Sequence, residues 1–169
     1  QIDTLSSIAS AFSDFARMPA NNTGETNLIQ LIKNLVVLFD NHANITFKIE
    51  VSAEKDILIR ADQAQMNRVF TNLIKNSIQA IGDKPAGLIH IHLTLENHFA
   101  LVSLSDNGKG MTEAESGRVF SPNFTTKTSG MGIGLAMVYN LVTTAEGSIE
   151  FKTTPGKGTT FYLRLPLHS

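Results

Sequence analysis

Hydrophobic and polar positions follow two periods along this chain, and each change of period marks an element. Ile2, Leu5, Ile8, Ala9, Phe12, Phe15 and Ala16 recur at helical spacing, which predicts an amphipathic helix over 2–17, closed by Pro19. A polar, turn-prone stretch at 20–24 follows. Leu28, Leu31, Ile32, Leu35, Val36 and Phe39 then predict a second helix running to about Asp40. The period drops to two where Ile45, Phe47, Ile49 and Val51 alternate with Thr46, Lys48 and Glu50, and 57–61 reads as the partner strand of a first hairpin.

Asp62 and Gln65 have capping-box spacing, and Met66, Val69, Phe70, Leu73, Ile74, Ile78 and Ile81 mark one face of a long helix that Gly82 ends. Alternating runs at 88–96 and 99–105, parted by Asn97 and His98, predict an antiparallel pair. A helix over about 132–145 comes next, then strands at 148–153 and 159–165 around Pro155-Gly156-Lys157-Gly158. The expected fold class is α+β: a two-layer sandwich with one mixed, mostly antiparallel sheet covered on one face by helices, and the active site on the helical side.

Composition narrows this picture. With 42% hydrophobic and 17% charged residues among 169, against about 25% charged in an average domain, the chain has the makings of one folded core. A formal net charge of -1 provides no extended field for a polyanion, so nucleic acid is not expected as a partner and any phosphate site must be local. The lack of cysteine removes disulfides and thiolate metal sites and suits a reducing cytoplasm. No apolar run approaches the roughly 20 residues of a membrane span, so no membrane contact is expected of these residues. Gln1 as the first residue points to a piece cut from a longer protein.

The chemistry concentrates in four places. On the long helix, Asn72, Asn76 and Gln79 lie on one strip, and asparagine is a poor helix former that mid-helix calls for a reason. An amide oxygen can join a magnesium shell without adding charge, and Asn76 is the better candidate. Asp106-Asn107-Gly108-Lys109-Gly110 follows a strand, and the capping-box spacing of Thr112 and Glu115 then predicts strand, loop, helix rather than a hairpin turn. Asp106 is thereby a carboxylate at a strand end, able to accept from the exocyclic amine of adenine, with the glycines making room for the base.

Gly130-Met131-Gly132-Ile133-Gly134-Leu135 opens a helix, where backbone amides suit phosphate oxygens. Neither a Lys-Ser or Lys-Thr pair nor an immediately preceding strand accompanies it, so it is neither a P-loop nor a dinucleotide fingerprint. Between the glycine groups, Phe120-Ser121-Pro122-Asn123-Phe124-Thr125-Thr126-Lys127 reads as a lid with Lys127 as a phosphate contact. His90 and His92 alternate on the polar face of a strand and, lacking a third ligand, read as solvated residues rather than a zinc pair.

Taken in order, 72–80, 106–110, 120–127 and 130–136 resemble the N, G1, F and G2 boxes of histidine kinases. The resemblance covers about 26–167 and implies the Bergerat ATP-binding fold shared with gyrase, Hsp-type chaperones and MutL, Gly156-Lys157-Gly158-Thr159 resembling its closing glycine motif. It implies a nucleotide site of Asn72, Asn76, Gln79, Asp106, Gly108, Gly110, Thr125, Thr126, Lys127, Gly130, Met131, Gly132, Ile133, Gly134, Leu135 and Thr159. Catalytic roles fall to Asn72, Asn76 and Lys127, the magnesium ligand is Asn76, and the cofactors are ATP and Mg2+.

Phe12-Ser13-Asp14-Phe15-Ala16-Arg17-Met18-Pro19 resembles the end of the dimerisation helix of nitrogen-regulation-type sensor kinases. The implied organisation is 1–19 as that helix end, 20–26 as a linker and 27–169 as the catalytic domain. Its implied partners are the protein's own dimerisation domain, which carries the phosphoacceptor histidine, and the receiver domain of a response regulator. Asn123 departs from the aromatic residue of many relatives, and none of His42, His90, His92, His98 or His168 has the acidic residue and downstream proline of a phosphoacceptor box. Two other functions compete with a kinase: a motor ATPase, whose water-activating glutamate would fall at Asn72, and an adaptor that has lost nucleotide.

Overall fold

A computed structural model describes residues 22–121 and 134–169. The helix expected over 2–17 and the segment 122–133 lie outside the described residues. Chain direction is first set by a short strand, β1 (Gly24–Asn27), in which Asn27 also caps helix α1 (Leu28–Phe39) by accepting from the Gln30 amide. Leu28, Leu31, Ile32, Leu35 and Val36 form the buried stripe of α1 at the spacing that a 3.6-residue turn requires. Strands β2 (Ile45–Ser52) and β3 (Leu58–Ala61) follow, and then the 19-residue helix α2 (Gln63–Ile81).

Asp62 caps α2 by accepting from the Gln65 amide, and Gly82, at φ 56°, takes the left-handed turn that closes it. Strands β4 (Gly87–Glu96) and β5 (Phe99–Asp106), the one-turn helix α3 (Glu113–Ser116), helix α4 (Gly134–Thr144) and strands β6 (Ser148–Thr154) and β7 (Gly158–Pro166) complete the described chain. Both halves of the Thr112 and Glu115 capping box are formed.

The main sheet runs β2-β4-β5-β7-β6, with β2 parallel to β4 and every other pair antiparallel. Alternate residues of its strands, among them Ile89, Ile91, Leu93, Val102, Leu104, Phe161 and Leu163, turn inward and join one apolar cluster with the buried stripes of α1, α2 and α4. The expected two-layer α+β sandwich with a mixed sheet is therefore the observed fold.

The first hairpin is not. β3 pairs with β1, Gly24 facing Ala61, whereas β2 lies parallel to β4, Ile45 facing Gly87. Alternation showed that 45–51 is a strand but carries no record of its partner. A long helix between β2 and β4 supplies the crossover that parallel neighbours need. Gly87 lets the two strands meet closely: a Cβ there would fall 2.6 Å from an Ile81 methyl and 2.9 Å from the Asn44 carbonyl, and its amide donates to that carbonyl at 2.8 Å.

Candidate nucleotide site

Four elements converge at the end of β5. Asp106 is its last residue and lies opposite Thr159 of β7. One carboxylate oxygen accepts from the Ser77 hydroxyl of α2 at 3.1 Å, and the other from the Gly108 amide at 2.9 Å. The half-buried acid is thus held between the helix layer and the loop that follows it. Asp106 thus faces the helical side of the sheet.

The loop 107–110 is fastened by hydrogen bonds at Asn107, Gly108 and Lys109. Asn107 accepts from the Leu88 amide at 2.7 Å and donates to the Ala86 carbonyl at 2.9 Å, which ties the loop to the start of β4. The Lys109 amide donates to the Ala80 carbonyl at 3.0 Å, and the Lys109 carbonyl accepts from the Gly156 amide at 2.7 Å. A Cβ on Gly108 would lie 2.6 Å from the Ala80 carbonyl carbon. On Gly110, at φ 67°, it would lie 2.2 Å from the Thr154 carbonyl oxygen. The space that a Cβ would take at these glycines is therefore occupied by α2 and by the β6–β7 turn, so each is needed for packing within the chain.

Asn72 and Asn76 sit half-buried on α2, and Gln79 is exposed on the same strip. The Asn72 amide group donates to the Arg68 carbonyl at 2.8 Å, and a Cβ on Gly134 would come within 2.9 Å of the Asn72 amide oxygen. Asn72 is thus brought against the first residue of α4, with Leu135 partly buried behind it against the core. Thr159 is buried, its hydroxyl bonded at 2.9 Å to that of Thr153, which accepts from the Met111 amide at 2.9 Å. Thr125, Thr126, Lys127, Gly130, Met131, Gly132 and Ile133 lie outside the described residues.

Among the described residues, no group of three or more His, Cys, Asp or Glu could hold a metal ion. His90 reaches Glu50 at 3.0 Å and His92 reaches Ser52 at 2.8 Å across the β2–β4 pair, so these histidines are engaged by neighbours rather than only by water.

Ser77 escaped the sequence reading, which assigned the apolar face to Ile78. Continuing the spacing of Met66, Phe70 and Leu73 leads to Ser77 and Ile81, and the structure buries those two while Ile78 is only partly covered. A lone hydroxyl on that stripe was the available signal.

Comparison with known proteins follows the same lines. A family model described as histidine kinase-, DNA gyrase B-, and HSP90-like ATPase matches residues 61–169. Sporulation kinase B of Bacillus subtilis (strain 168) is 31% identical over 169 residues, covering 98% of this chain and 39% of that protein. Sensor histidine kinase ZraS of Escherichia coli (strain K12) is 39% identical over 110 residues, 65% of this chain and 23% of that protein. The chain thus spans well under half the length of these curated relatives.

Among solved structures, the nucleotide-free catalytic domain of histidine kinase ThkA superposes with a TM-score of 0.76 at 32% identity, covering 86% of this chain and 95% of that one. Histidine kinase ThkA in complex with response regulator protein TrrA gives 0.81 at 26% identity, covering 99% of this chain and 48% of that one.

Proposed function

Because this chain belongs to the histidine kinase-, DNA gyrase B- and HSP90-like ATPase family, and within it to the catalytic domains of sensor histidine kinases, we propose that it presents Mg-ATP to a histidine of its dimerisation domain. The phosphohistidine then supplies the receiver domain of a response regulator in the cytoplasm. The observation that carries this reading is Asp106: a carboxylate at the end of β5, held by the same helix that bears Asn72 and Asn76. Residues 1–19 are the end of the dimerisation helix and 20–26 lead from it into 27–169.

In this assignment Asp106 accepts from the adenine amine, as a group with lone pairs and no donor must. Gly134 and Leu135, at the start of α4, and residues 130–133 before them, direct backbone amides at the phosphates. Thr125, Thr126 and Lys127 are assigned to the phosphates, and Gln79 and Thr159 to the margins of the site. A magnesium ion bound with the nucleotide supplies neutralising charge to the phosphate oxygens. Asn76 fits such an ion, because its amide oxygen is a hard, uncharged donor and the described residues hold no acidic cluster that would bind the metal alone. The chain's own contribution is positioning, so that an external imidazole meets the γ-phosphoryl group in line.

Asn72 separates this reading from a motor ATPase. It occupies the place of that mechanism's general base, an amide cannot take up a proton, and its donor group is already bonded to the Arg68 carbonyl.

The test is phosphoryl transfer in trans from γ-labelled ATP to a separately produced dimerisation domain of the same kinase. Acid-labile label is expected on that domain and not on this chain. Asn76→Ala is expected to lower transfer by at least about a hundredfold while ATP binding falls much less. Self-labelling of this chain, or steady phosphate release without an acceptor, would overturn the assignment in favour of another acceptor or a motor.

A further inference from the structure

We propose that Ser77 is a positioning residue for base recognition, fixing the Asp106 carboxylate in the orientation that accepts from the amine of a 6-aminopurine. The inference rests on the assignment of Asp106 to the base given above and adds to it the group that aims the carboxylate.

Ser77 lies on the core face of α2 and is 1% exposed. At such a position alanine fills the space, favours the helix and carries no polar atom to satisfy. A serine within a helix ordinarily returns its hydroxyl to the carbonyl four residues earlier. Here it donates instead across the interface between layers, at 3.1 Å, to a carboxylate oxygen of Asp106, 29 residues further along the chain. Hydrogen bonds to a charged acceptor are the stronger kind, so this contact constrains both partners.

The second donor on Asp106, the Gly108 amide, is registered to the same helix. Gly108 is seated on the last turn of α2, where a Cβ would overlap Ala80, and the next amide, that of Lys109, donates to the Ala80 carbonyl. Both donors are therefore referred to α2, one directly and one through the loop, and each holds a different oxygen. Turning the carboxylate about its terminal bond breaks both contacts together, so its plane is determined by the helix.

Each carboxylate oxygen has two lone-pair sites, so an oxygen that accepts from the protein can also accept from a ligand. An oriented acceptor of this kind is met by an exocyclic amine and repelled by the carbonyl that guanine or hypoxanthine carries in the same place. Ser77 also directly follows Asn76, so the residue that aims the base-reading acid and the proposed metal ligand are neighbours on a single helix. Loss of the Ser77 hydroxyl should weaken recognition of the amine and leave phosphate binding nearly untouched.

The experiment compares wild type, Ser77→Ala and Ser77→Cys for binding of ATP and of inosine triphosphate, titrated by NMR to millimolar concentration, with thermal melting of each variant. Ser77→Ala is expected to lose about tenfold in ATP affinity and to change inosine triphosphate affinity by less than about twofold, with Ser77→Cys, a weaker donor, between the two. Equal loss for both nucleotides, or unchanged ATP affinity in a folded variant, overturns the proposal. Asp106→Asn tells the two levels apart. If it leaves ATP affinity intact, the base site itself is misassigned; if it abolishes binding while Ser77→Ala is neutral, only the role of Ser77 fails.

Discussion

Asp106 accepts on both oxygens, from Ser77 and from the Gly108 amide, and an amide at this position keeps both neighbours only by accepting from the Gly108 amide and donating to the Ser77 hydroxyl. Asp106→Asn thereby replaces one acceptor oxygen by a donor, which it sets toward the adenine amine. Loss of one charge-assisted hydrogen bond, about 1.5–3 kcal/mol, corresponds to a fall in ATP affinity of roughly 10- to 150-fold. Calorimetric titration beside a melting curve checks it, and a folded variant with undiminished affinity would remove Asp106 from the base site. At the same scale, Gly108 shows why a residue type is not yet a role. Its smallness is visible in the sequence, but that it accommodates Ala80 is visible only when the loop meets the helix.

At the scale of elements, α2 is the part on which the site is built, and Asp62 anchors its first turn. One oxygen of this buried acid accepts from the Gln65 backbone amide at 3.1 Å, and the other from the Asn22 backbone amide at 2.8 Å, joining the helix cap to the segment that leads into β1. Asp62→Ala removes both bonds and is expected to cost about 2–3 kcal/mol, one part for the cap and one for the unpaired amide. Asp62→Asn keeps an oxygen for the cap but turns a donor toward Asn22, so it should lose only about half as much. Urea unfolding of the three proteins measures this order. Equal losses for Asn and Ala would mean that the cap contributes nothing. The elements also show where patterns stop being informative: an alternating run tells which face of β2 is buried, yet the choice between β3 and β4 as its neighbour depends on the crossover through α2.

For the molecule as a whole, nucleotide binding and folding are linked, because the proposed site takes parts from β5, α2, β7 and α4 and exists only when the two layers are joined. A ligand that binds the folded chain alone stabilises it by about 2.7 kcal/mol at a hundred times its dissociation constant. For a chain of this size that is a rise in melting temperature of about 5–10 °C. ATP is expected to produce it in the wild type, and Asp106→Asn to lose about half of it or more at the same concentration. A melting temperature that does not respond to saturating ATP would contradict binding to the native state.

Periodicity by itself determined most of the helices and strands and most of their buried faces, Gly24–Asn27 and Ser77 excepted, because these follow from local geometry repeating every 3.6 or two residues; the four boxes were legible as residue motifs through the family resemblance. The caps at Asp62 and Thr112 and the stop at Gly82 were equally legible, since a cap is a contact within one turn. Three things were decided only by the tertiary structure: the parallel neighbour of β2, the packing role of Gly108 and Gly110, and the hold of Ser77 on Asp106. Each depends on residues 28 to 44 positions apart meeting in the folded chain, within the sheet or between sheet and helix, and nothing in a local pattern records which partner a segment will face once the chain closes.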